Sequence, residues 1–156
     1  MMIRAMALTF LTVATTGAHA AGDFPLASCK GWNGTIVERQ GIDTGLANMR
    51  GVITKVDIQE YCERDPGGET RQYGGKLTIH QCIDLYFRAE GRATMSAQVN
   101  CRNGMLSYQY GGRISGHARF PLKPNADTSC ASGVPPMMQQ FKILCPTVAK
   151  RLKVDG

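Results

Sequence analysis

Between residues 79 and 87 the apolar side chains recur every three or four positions. Between 93 and 101 they recur every second one. Ile79, Cys82, Ile83, Tyr86 and Phe87 make one helical stripe, with His80, Gln81, Asp84 and Arg88 on the opposite side. Thr78 precedes this run and Gln81 comes three residues later, the spacing of a capping box, and Gly91 ends it. Ala93, Met95, Ala97, Val99 and Cys101 then alternate with Thr94, Ser96, Gln98 and Asn100, as a half-buried strand does.

The other elements are fainter. A first helix is predicted from Thr54, with Asp57 at the capping-box spacing and Ile58, Tyr61 and Cys62 on one stripe. Asp65-Pro66-Gly67-Gly68 ends it. Leu106, Tyr108 and Tyr110 alternate on a return strand after the Asn103-Gly104 turn. Gly111-Gly112 leads to a third strand over Ile114 to Leu122, interrupted at Gly116. A loop containing Cys130 runs to Pro135-Pro136. Met137 to Cys145 is predicted as a fourth strand, with Phe141, Ile143 and Cys145 on one face, and Pro146 opens a short basic helix. Upstream, Thr35 to Val37 is strand-like after Asn33-Gly34. Ala21 to Ala27 is predicted as a loose terminus, and the glycine-punctuated Gly41 to Gly51 as loop. The expected class is α+β: a small disulfide-rich domain with a helix pair followed by an antiparallel sheet of about four strands.

The first twenty residues change the setting. Arg4, the uncharged run from Ala7 to Thr16 and Ala18-His19-Ala20 occur in the order of a secretory leader, with cleavage expected after Ala20. Residues 21–156 then form one domain of 136 residues, long enough to bury a core. No other apolar run approaches membrane-spanning length. The whole chain carries a net charge of +6, and losing Arg4 leaves about +5, with basic residues dominating after Arg88. That bias suits a protein partner, or an anionic membrane or polymer of the envelope met through Lys150, Arg151 and Lys153 of the tail, rather than nucleic acid.

Cys29, Cys62, Cys82, Cys101, Cys130 and Cys145 all lie beyond the leader, and an even count after export implies disulfides. Cys62 and Cys82 each lie on a helix stripe, so folding one helix on the other pairs them across about twenty residues. Cys130 with Cys145 and Cys29 with Cys101 complete the expected set. No C-x-x-C occurs, which removes a thioredoxin-like pair and covalent haem, and the spacings do not fit zinc ligands. No cofactor or metal is expected.

Catalytic patterns are equally sparse. There is no G-x-S-x-G elbow and no Ser-x-x-Lys, and Tyr73 to Lys76 lacks the phosphate-loop spacing. Glu60 and Glu63 fall at i, i+3 beside Arg64, as a solvated helix face does. The suggestive segment is Ser107 to Phe120, where Tyr108, Tyr110, Arg113, His117 and Arg119 gather residue types that anchor interfaces. Within it Ser115 to Arg119, SGHAR, resembles the S-G-x-x-Y loop with which periplasmic inhibitors of c-type lysozymes plug an active-site cleft. The resemblance spans a handful of residues, with His117 inside the pattern, Arg119 at the tyrosine position and the aromatic Phe120 one residue beyond it. A non-enzymatic secreted or periplasmic binding protein is therefore expected, with two alternatives. One is an inhibitor of a lysozyme-like hydrolase. The other is a small hydrolase using His117 and an acid brought near by folding.

Overall fold

The computed structural model describes residues 23–26, 33–64 and 70–154. The expected leader, Cys29 and the turn at Asp65-Pro66-Gly67-Gly68 lie outside them. The chain forms strands β1 (Thr35–Gln40) and β2 (Ala47–Val52), helices α1 (Lys55–Arg64) and α2 (Ile79–Glu90), and strands β3 (Thr94–Asn100), β4 (Met105–Tyr110) and β5 (Arg113–Arg119). Helices α3 (Val134–Leu144) and α4 (Pro146–Arg151) complete it. The five strands make one antiparallel sheet in sequential order. The α+β class holds, with two differences: there are five strands, and the first helix pair does not precede the sheet. It is inserted between β2 and β3, which pair directly.

Alternation gives the sheet one apolar face. Ile36, Met49, Met95, Ala97, Val99, Leu106, Tyr108 and Ala118 are buried on it, and α3 lies across β2, β3, β4 and β5. The predicted fourth strand is thus a helix. Met137, Phe141 and Leu144 recur at helical spacing and are buried, and this three-residue set outweighs the period-two reading of Phe141, Ile143 and Cys145. The prolines misled as well. They stand in the first turn of α3, where the missing N–H has no intrahelical partner anyway. Phe120 stacks on Phe141 with ring centroids 4.4 Å apart.

The stretch expected as loop contains β2. Its inward positions are Ala47, Met49 and Gly51, so small side chains hide the alternation. Gly51 is small for a reason: a Cβ there would sit 2.5 Å from the ring of Phe24. Phe24, expected in a loose terminus, is fully buried and bridges Gly34 through two backbone hydrogen bonds of 2.8 and 2.9 Å. Its ring lies 6.5 Å from that of Tyr108. At the β3–β4 connection Asn103-Gly104 does turn the chain, with Gly104 at φ +72°.

Cys62 and Cys82 are bonded, with Cα atoms 6.0 Å apart, and Tyr61 meets Tyr86 edge-on at 5.2 Å. Both capping boxes form: Thr78 with Gln81, and Thr54 with Asp57. Asp57 also accepts from the Thr35 hydroxyl at 3.0 and 3.1 Å, which ties the inserted hairpin to β1. The remaining pairings differ from expectation. Cys101 bonds Cys145, so neither Cys29–Cys101 nor Cys130–Cys145 forms. Cys130 precedes α3 and Cys145 lies just past its end, and an eleven-residue helix holds its ends about 16 Å apart. Cys101 instead ends the inward row of β3, beneath the end of α3. Cys130 is also disulfide-bonded, with its partner outside the described residues.

Replacing Cys62 and Cys82 together by Ala should cost roughly 3 kcal/mol of stability, from the loop of about twenty residues that the bond closes. Gly51→Ala should cost about 1–3 kcal/mol by crowding Phe24. Urea unfolding checks both, and an unchanged midpoint for Gly51→Ala would contradict the seating of Phe24.

Candidate functional site

The face of the sheet opposite α3 is polar. Its register aligns Gln40, Asn48, Gln98, Ser107 and His117 in one row that crosses all five strands. The next row is largely satisfied within itself. Arg50 pairs with Glu38 at 3.2 Å, and Ser96 donates to Gln109 at 3.4 Å. In the first row Gln40 donates to Glu38 at 2.5 Å and Asn48 to the Leu46 carbonyl at 3.5 Å. Gln98, Ser107 and His117 make no side-chain hydrogen bond among the described residues. Three neighbouring polar groups therefore face outward without protein partners.

These groups line a groove of about 430 Å³. Leu46, 85% exposed, stands on one wall and Met105, 40% exposed, on the other. The β1–β2 connection raises the Leu46 wall and is itself held in place. Asp43 N donates to the Leu144 carbonyl at 2.8 Å, and its carboxylate accepts from Thr147 N and Oγ1 at 3.0 and 2.7 Å. Arg102 lies along Gly45 at the rim, and Arg119 pairs in register with Met105. Among the described residues no carboxylate lines the groove. It offers amide, hydroxyl and imidazole groups between two apolar walls under a basic rim.

The five residues expected to form one patch are divided by the sheet. His117 and Arg119 are exposed on the groove side of β5, and Arg113 is exposed at the β4–β5 turn. Tyr108 is buried on the other face. Tyr110 points the same way and donates a hydrogen bond to Glu90 of α2, joining the sheet to the inserted hairpin. Ser115 to Arg119 belongs to an edge strand and not to a protruding loop. His117 has Ser107 as its cross-strand neighbour, yet among the described residues neither a serine nor a carboxylate is hydrogen-bonded to it. Among the described residues no group of three His, Cys, Asp or Glu side chains converges as a metal site would.

Gln98, Asn48, Leu46 and Met105 are the site residues that the sequence alone did not single out. The alternation of β3 placed Gln98 outward, but only the register of β2 brings Asn48 beside it. Compared with known proteins, the chain matches no family model, no curated protein and no solved structure.

The tyrosines on the closed face give a pH signature. Burial raises the Tyr108 phenol from 10.0 to about 12. Tyr110 is raised by burial first, then by the hydrogen bond to Glu90 and its charge. Both phenols are held neutral by the folded state. The stability this gives is complete below pH 10.0 and declines as pH rises through about 12. The urea midpoint should fall across that window, and less steeply in Tyr108→Phe. Equal slopes in the two proteins would contradict the assignment.

Proposed function

We propose that this chain is an exported, disulfide-locked binding domain, periplasmic or secreted, that receives a protein partner on the open face of its sheet. The observation that carries the reading is the unpaired Gln98–Ser107–His117 row, flanked by exposed Leu46 and Met105. Buried interface cores combine apolar anchors with polar groups that find partners only in the complex. Arg102, Arg119 and the lack of acids in the groove favour a partner loop rich in carboxylates.

The most specific form of the reading is inhibition of a secreted lysozyme-like hydrolase. Such enzymes work with a pair of carboxyl groups in a cleft. Arg119 and His117 would meet that acidic cleft from the flat sheet face and not as an inserted loop, because SGHAR lies in β5. The disulfides support export, since such bonds persist in oxidising compartments.

The test is binding and inhibition by the oxidised protein against lysozyme-like hydrolases and envelope proteins. Met105→Glu and Arg119→Glu should each weaken the interaction at least tenfold, while Tyr110→Phe leaves it within twofold. Retention unchanged in both charge variants would remove the sheet face as the binding surface.

A further inference from the structure

A second cavity lies away from the sheet groove, where α3 meets α4. Its volume is about 390 Å³, and its lining consists of Lys142, Lys150 and Lys153 around a floor of Pro146, Ala149 and Val154. Lys142 comes from α3, Lys150 from α4 and Lys153 from the turn that ends α4, so three separate segments bring cations to one hollow. None of the three ammonium groups makes an ion pair or a side-chain hydrogen bond among the described residues. The carboxylate of Asp43, at the start of α4, is committed to Thr147 and does not line the cavity. Arg151 of the tail does not line it either.

The backbone at Lys153 is the second observation. Lys153 N donates to the Lys150 carbonyl at 3.2 Å, and Val154 N donates to the Ala149 carbonyl at 3.0 Å. This is the helix-ending motif that places one residue in the left-handed region, a position where glycine is ordinarily found. Here a lysine occupies it at φ +51°. The helix dipole favours a cation at this end. It explains neither the use of a side-chain-bearing residue in a left-handed position nor the contribution of Lys142 from another helix. Val154 folds back against Ala149 to form the floor, so the turn that strains Lys153 also shapes the hollow.

We propose that this cavity seats a phosphate group, presented either as free phosphate or as the head of an anionic lipid. Three lysines lining one cavity supply ammonium groups that neutralise a phosphate as point charges, without the planar geometry that an arginine site would impose. The site is independent of the partner face and stands or falls separately from it.

The full oxidised chain is titrated with inorganic phosphate at physiological ionic strength while the backbone amides of residues 142–154 are followed by NMR. In parallel it is sedimented with vesicles of phosphatidylglycerol or of phosphatidylcholine. Saturable amide shifts with inorganic phosphate, weakened at least tenfold by Lys142→Ala, support a free-phosphate site. No response to phosphate, with retention on phosphatidylglycerol but not phosphatidylcholine vesicles, supports the lipid head group. Lys153→Gly separates site from structure: it relieves the backbone, so the melting temperature holds or rises while binding falls at least fivefold. Binding to neither probe, or binding unchanged in Lys142→Ala and Lys153→Gly, overturns the proposal.

Discussion

The packing of α3 across the inward face of the sheet is the constraint on which the rest of the molecule depends. Met137, Phe141 and Leu144 cover the side chains of four strands, and Phe120 stacks on Phe141 just beyond β5. The Cys101–Cys145 bond fixes the end of this helix to the end of β3. One eleven-residue helix covers four strands of a five-stranded sheet on one face. The opposite face is left with amides, hydroxyls and charged groups, as an antiparallel sheet with one solvated side requires. The groove is a consequence of that asymmetry. It forms where the β1–β2 connection, tied to the α3–α4 junction through Asp43, rises beside the open face.

The sequence was most legible where periodicity was long and side chains were large. The α2 stripe, its capping box and the alternation of β3 and β4 appear in the fold almost residue for residue. It was least legible where small residues carry packing. Ala47 and Gly51 look like loop material in one dimension, yet both are inward strand positions, and Gly51 is small to admit Phe24. α3 was obscured by its opening prolines, which start a helix only when the residues beyond them carry a helical stripe. The cysteine pairing depends on the same element. As a strand, Met137 to Cys145 would let Cys145 return to Cys130, whereas a helix of fixed rise holds the two apart and Cys145 bonds Cys101.

The candidate site was half legible. His117 and Arg119 belong to the open face, but Tyr108 and Tyr110, adjacent to them in sequence, serve the closed one. His117 and Arg119 pair with Ser107 and Met105, the outward positions of β4, while Tyr108 and Tyr110 take the alternate, inward ones, so sequence proximity does not give a shared surface. The polar row depends on pairings between strands far apart in the chain, and a single strand does not reveal it. The inserted helical hairpin has its own disulfide and touches the sheet through Thr35–Asp57 and Tyr110–Glu90. It braces the end of the sheet and leaves the groove uncovered.

The central claim is a sheet with one sealed face and one open face, and the methionines report on both. Met49 and Met95 are each 1% exposed on the inward face of the sheet, whereas Met105 is 40% exposed on the groove wall. Brief oxidation of the native, disulfide-intact protein with dilute peroxide, read by peptide mass spectrometry, compares them in one sample. Met105 should convert to the sulfoxide many times faster than Met49 or Met95. Equal rates for Met95 and Met105 would show that the inward face of the sheet is not sealed and would contradict this architecture.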